Sequence, residues 1–203
     1  MLKSVKIDTT KLDTSFRRNK ANIAANHMLK IAQSDQFRDM IINMDRERWL
    51  KGESRNSKFI NLSNQQIYNL IQSGKEEWND EVDYEIDLKI DDYHSKWSSV
   101  IGYMIPNNPT IFVNTKFFDT MSIKDVCSNC FHEWLHTMGA RHSGNYFRDS
   151  LAYYMNYIVE KLYDHIIDGT EEIKTETYCV RSWKTLWFKR CYTGVVRWVK
   201  ENK

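Results

Sequence analysis

The stretch Phe131-His-Glu-Trp-Leu-His-Thr-Met-Gly-Ala-Arg-His142 holds three histidines and a glutamate at spacings that suit a metal ion. On a helix, His132 and His136 project from one face about one turn apart and can share an ion. Glu133 then points to one side of that pair, near enough to take a proton from a metal-activated water without being a ligand. Gly139 lets the helix stop and the chain turn sharply through a positive φ, so that His142 swings back as a third ligand. Three protein ligands leave a fourth tetrahedral position for water, which marks a catalytic site and not a closed structural one. Neutral imidazoles favour zinc (Zn2+) among the available metals, with iron, cobalt and nickel left open. A site that holds its metal without catalysis is the competing reading.

Other residue types with chemical potential lack such spacing. His27, His94 and His165 are expected to be structural or exposed. Cys127 and Cys130 form a C-x-x-C with no second pair to complete a four-ligand site, and the expectation is two buried thiols. Cys179 and Cys191 suit a disulfide if the protein works outside a reducing compartment, and that question stays open. Between Tyr178 and Lys203, seven basic residues stand against Glu201 alone, interleaved with Trp183, Trp187, Phe188, Tyr192 and Trp198. A docking helix that buries its tryptophans is the favoured reading of this tail. The alternative is a surface that grips nucleic acid, an anionic membrane or a cell-wall polymer through charge and stacking.

The elements that must position the histidines have their own signals. Ser122, with Asp125 three residues on, caps a helix that should run to about Met138. Upstream, Ala21 to Ile31 and Phe37, Met40, Ile41 and Met44 show helical periodicity, so residues 1–75 read as a helical N-terminal part. Ser63 with Gln66 starts a further helix and Gly74 stops it. At Asp83 to Asp91 the period changes to 2, with Tyr84, Ile86, Leu88 and Ile90 facing one way and a solvated charged face opposite. Trp97 to Met104 and Ile111 to Val113 read as two more strands around Pro106-Asn-Asn-Pro109. A sheet edge beside a metal helix can hydrogen-bond an extended peptide backbone. Ser150 to Tyr163 carries Leu151, Tyr154, Ile158 and Leu162 along one helical stripe, and residues 147–203 read as a C-terminal helical part.

At 203 residues, with only two prolines and seven glycines, one domain spanning 1–203 is expected, with sheet and metal helix at 82–142. A formal charge of +2 argues against nucleic acid as a partner. No segment approaches the roughly 18 consecutive apolar residues of a membrane span, and the first residues carry no apolar run of signal-peptide length. The expectation is a cytoplasmic or virion-associated protein over a secreted one.

The segment from His132 to His142 resembles the metzincin signature of zinc endopeptidases. A longer region, roughly Asn64 to Val159, resembles small zincin-like proteins of bacteria and their phages, through Gln65-Gln-Ile-Tyr, Val100-Ile-Gly-Tyr-Met-Ile-Pro106 and Val113-Asn-Thr-Lys-Phe-Phe118. The resemblance implies an α+β, zincin-like fold, with a small antiparallel or mixed sheet, backing helices and an active-site helix. It implies a zinc metallopeptidase acting on a protein or peptide, with Glu133 as general base. Metzincins also carry a methionine turn beneath the metal, and Met155-Asn-Tyr157 matches it literally, although the helical stripe makes a helix the expectation there. Tyr153 and Tyr157, four apart, are both candidates to steady an oxyanion, and either equally suits the core. Two alternatives stand beside peptide hydrolysis: a non-catalytic, metal-stabilised structural or binding protein, such as a phage particle component, and a hydrolase of cell-wall peptides.

Overall fold

The computed structural model describes residues 1–79, 81–105 and 108–167, and the backbone of 177–181 and 189–193. The chain folds as α+β. A mixed four-stranded sheet has the order β1 (Ser4–Lys11), β2 (Glu85–Tyr93), β4 (Thr110–Asn114), β3 (Gly102–Met104). The pairs β1–β2 and β2–β4 are parallel, and β3 runs antiparallel to β4 at one edge. The helices are α1 (Ser15–Ala32), α2 (Asp35–Ile42), α3 (Arg46–Gly52), α4 (Asn64–Ser73), α5 (Thr115–Phe118), α6 (Ile123–Thr137) and α7 (Leu151–Ile166). No helix among the described residues is long and apolar enough to cross a membrane.

The centre of the molecule is α6, which packs against both α1 and α7. Ala21, Ala24, Ala25 and Ala32 of α1 are fully buried, and such small side chains allow close helix approach. On α6 nearly every residue from Val126 to Thr137 is buried, including Phe131, Trp134 and Leu135. Burying side chains of this size stabilises the fold by about 1.5–3 kcal/mol each, so the helix is held by packing on all sides. Ile86, Leu88, Ile90, Ile111 and Val113 turn one face of β2 and β4 into the core, while Glu85, Asp87 and Lys89 alternate on the other.

The expected α4 is present with its capping box at Ser63 and Gln66 and a left-handed end at Gly74. Three expectations are corrected. Residues 1–75 are not wholly helical, because Ser4–Lys11 forms β1. Its alternation of Val5 and Ile7 with Lys6 and Asp8 is a strand signal, but its pairing partner lies some eighty residues on, at Ser4 opposite Glu85. Tyr84 leaves the inward row of β2 with φ 62° and is exposed, since the chain there turns: its N–H donates to the Ser73 carbonyl (2.9 Å) and its carbonyl accepts from Lys3 (2.8 Å). The third strand covers only the last part of Trp97 to Met104, and Trp97 is 91% exposed. The buried side chain of Asn114 explains this. Its amide donates to the Ser95 and Val100 carbonyls, both at 3.2 Å, and its oxygen accepts from Ser95 N–H, holding the segment as a loop.

The C-terminal expectation also changes where backbone is described. Thr177–Arg181 (β5) and Lys189–Thr193 (β6) form an antiparallel pair in place of a docking helix, with Cys179 opposite Cys191. Thr177, Tyr178, Val180, Tyr192 and Thr193 are strand-favouring types, which outweighs the basic-aromatic periodicity. The side chains of this tail, and so the disulfide and surface-binding readings, lie outside the described residues.

Beneath α6, the Trp134 indole N–H donates to Glu76 Oε1 at 2.7 Å. Glu76 is 1% exposed and its Oε2 has no hydrogen-bond partner. Burial therefore pushes its pKa up to about 7 from 4.5. Between those values the native state holds a proton that the unfolded chain has lost, so stability is full below pH 4.5 and falls as pH rises through 7. The loss is on the order of 3 kcal/mol. In Glu76→Gln the oxygen facing Trp134 remains and this slope disappears. The difference in unfolding free energy between variant and wild type, followed by chemical denaturation from pH 4 to 8, should rise steadily in favour of the variant.

Candidate metal centre

The metal helix begins with a complete capping box. Ser122 Oγ accepts from Asp125 N–H and the Asp125 carboxylate accepts from Ser122 N–H, each at 3.1 Å. It ends at Met138, and Gly139 follows with φ 105°, a conformation that any residue with a Cβ strongly disfavours. The turn is braced from several directions. Arg141 donates to the His136 carbonyl (2.7 Å) and the Ala140 carbonyl (2.8 Å), covering the helix C-terminus, and pairs with Glu77.

This reversal brings His142 onto the pair carried by α6. The three histidines each offer a ligand atom, and these atoms lie within 4.8 Å of one another, close enough to bind a metal ion. The rings of His136 and His142 are 4.5 Å apart between centroids, and those of His132 and His142 5.2 Å. Two of the three Nδ1 atoms have hydrogen-bond partners. His136 Nδ1 faces the Ala140 carbonyl at 2.7 Å, an acceptor, so this nitrogen carries the hydrogen and Nε2 keeps its lone pair. His142 Nδ1 lies 2.7 Å from Ser150 Oγ, which leaves its Nε2 to face His136 Nε2 at 3.0 Å. His132 stands beside the Ala152 carbonyl and Asn156, although Nδ1 makes no hydrogen bond of standard geometry to either.

The electrostatics follow from burial. His132, Glu133 and His136 are buried and His142 partly so. Desolvation, with smaller repulsion among the rings, holds His132 well below its usual pKa and His136 down at about 4. His142 is lowered by burial as well. All three are thus neutral near pH 7, the form in which imidazole binds a metal. Desolvation also pushes Glu133 up to about 8.

The site opens into a cleft of about 690 Å³. Residues 99–104, which include edge strand β3, line it together with Glu133, the three histidines, Phe147, Arg148 and Tyr153. At Gly102 a Cβ would meet Asn129 Nδ2 at 2.9 Å and Glu133 Oε1 at 3.5 Å, so the β3 backbone passes directly over the glutamate. Tyr153 sits against the metal-ligand set, its ring 4.6 Å from His132 and 5.2 Å from His142. Tyr157 does not join it. It lines an adjoining cavity of about 290 Å³ with Arg48, Tyr154 and Glu160, which shares Tyr153, Arg148 and Asn156 with the cleft. Met155 is fully buried within α7, so the methionine lies on a helix as expected.

The remaining histidines and the C-x-x-C also have defined surroundings. His27 Nδ1 contacts Tyr163 OH and His94 Nδ1 contacts Thr115 Oγ1, both at 2.9 Å. Cys127 and Cys130 are buried free thiols, and burial raises both pKa values, that of Cys130 to about 12. Ser150, Asn156 and Arg148 went unnoticed in the sequence. Ser150 had a signal, as the residue preceding α7, but that position suggests a helix cap, and its side chain makes no capping bond. No protein-family profile, curated protein or solved structure matches the chain.

Purified protein is expected to carry one equivalent of a divalent transition-metal ion by elemental analysis. Replacing His132, His136 or His142 singly with Ala should weaken binding by at least about 10²-fold. Cys127→Ala should leave metal content unchanged, since a buried protonated thiol is no ligand.

Proposed function

We propose that this chain is a zinc-dependent, metzincin-like peptidase on a zincin-like fold, in which His132, His136 and His142 hold the ion and Glu133 is the general base. The observation that carries the reading is the convergence of three neutral imidazoles and one buried carboxyl in a cleft lined by the edge strand of a sheet. The donor set fits zinc: tetrahedral nitrogens about 2.0–2.1 Å from one ion stand about 3.3 Å apart. The 3.0 Å between His136 Nε2 and His142 Nε2 is near that spacing. Bound there, zinc supplies Lewis acidity, polarising a scissile carbonyl and bringing the ionisation of a water to near neutral pH.

The residues of the chain divide the remaining work. The outer edge of β3 offers backbone groups to an extended peptide, which lays the scissile bond across the cleft near Glu133. Glu133 takes a proton from the attacking water and returns it to the leaving amine, and the positive charge of the ion lowers its pKa into the range of a working base. Tyr153, with its pKa raised by burial, keeps its phenolic proton and donates it in a hydrogen bond to the oxyanion. Its contact with two of the three ring ligands favours it over Tyr157 in this role.

Glu133→Gln should keep its zinc and lose about 10²–10⁴-fold in kcat on a peptide-library digest. Tyr153→Phe should lose about 10²-fold in kcat with KM little changed. Turnover at the wild-type rate in Glu133→Gln would refute the base. Stoichiometric zinc without cleavage of any library peptide would leave a metal-stabilised binding protein instead.

A further inference from the structure

Two of the three histidines are fixed by α6, but His142 lies on the chain between Gly139 and α7, where residues 144–148 are exposed. Its position must come from elsewhere. The contacts that hold it come from the end of α3, some ninety residues earlier. Glu53 is 5% exposed, and its carboxylate grips both ends of the segment: Oε1 accepts from Arg141 N–H at 2.9 Å and Oε2 from Leu151 N–H at 3.0 Å. Backbone pairing reinforces the grip, with Ser54 N–H on the Arg141 carbonyl (2.7 Å) and Ser143 N–H on the Gly52 carbonyl (2.8 Å). Gly52 lies so close that an added Cβ would fall 2.0 Å from Ser150 N.

The Leu151 N–H is the first of α7, one of the donors that a helix leaves unsatisfied at its start. Glu53 takes it, with its negative charge at the favourable end of the helix dipole. Ser150, at the N-cap position, makes no capping bond to the donors that follow; its Oγ instead lies 2.7 Å from His142 Nδ1 and directs Nε2 toward the other imidazoles.

We propose that Glu53 is a positioning residue for the third metal ligand: it clamps both ends of the segment 141–151, which carries His142 and its partner Ser150, and so sets the two against each other. This inference rests on the metal-binding reading above. Without the carboxylate, the ends of the segment part, Ser150 Oγ no longer meets His142 Nδ1, and the ion keeps only the two ligands of α6 in place.

The test uses the full chain and zinc itself, with affinity measured by chelator competition and the cobalt(II) visible spectrum as a second readout of ligand geometry. Glu53→Gln presents an N–H₂ where one of two backbone donors needs an acceptor, and should bind zinc about 10–100-fold more weakly. Ser150→Ala should weaken binding to a similar degree. Because both act through one hydrogen bond, the double variant should be no weaker than the weaker single, and additive losses would overturn the coupling. Gly52→Ala keeps the carboxylate but drives a methyl into Ser150, and should weaken zinc binding even if Glu53→Gln does not fold. A folded Glu53→Gln with a lower melting point but wild-type zinc affinity and cobalt spectrum would reduce Glu53 to a structural residue. Failure of the wild type to bind zinc would instead remove the metal reading itself.

Discussion

Four ionisable side chains, His132, Glu133, His136 and His142, are taken largely out of water at one place, and the rest of the structure is organised around that cost. Desolvation favours the uncharged form of each, which leaves nitrogen lone pairs gathered around one point and a glutamate that holds its proton. In the proposed reading a divalent cation meets all of these demands together. It accepts the lone pairs and makes an ionised Glu133 favourable beside it.

Such a cluster can exist only on a rigid support. The support is the apolar packing of α6 against α1 and α7, with the alanine face of α1 permitting close contact and Phe131, Trp134 and Leu135 filling the interior. Two buried glutamates near the C-terminal end of α6 have different surroundings, Glu76 on Trp134 and Glu53 on the chain that follows the helix. Both donors to Glu76, the Trp134 indole and a long contact from Asp87 N–H, fall on one oxygen and leave Oε2 without a partner, and burial raises its pKa strongly. Glu53 also has its pKa raised by burial, but a hydrogen bond from Ser57, two backbone N–H groups and the charge of Arg141 oppose that shift. A carboxylate with both oxygens satisfied can organise a loop, whereas one with an oxygen left bare is held chiefly by the packing around it.

The cleft places the reactive groups under an edge strand without exposing them. Gly102 allows the β3 backbone to pass near Glu133, and Asn114 keeps residues 95–100 as a loop, so that β3 is short and its outer edge is unpaired within the sheet. Short length is a common safeguard for an open edge. In the proposed reading the same feature leaves room for an extended ligand beside the three histidines.

Everything legible in the sequence was local. The i, i+4 spacing of His132 and His136, the Ser122–Asp125 capping pair, the stop at Gly139 and the helical stripe of α7 each involve residues within a turn or two, and each appears in the structure as read. The mixed α+β class followed from the change of period near Asp83. What the tertiary structure decided depends on groups far apart in the chain. β1 carries a local alternation, but its parallel partner at Glu85–Asp91 is set by the fold, and Tyr153 is separable from Tyr157 only because it lines the cleft of the three histidines. The orientation of His142 depends on Glu53, to which no spacing rule could point. Helix periodicity and capping arise from short-range backbone geometry and so are written in neighbouring residues. The satisfaction of a buried hydrogen-bonding group is set by whatever the fold brings beside it, and that is known only once the chain has packed.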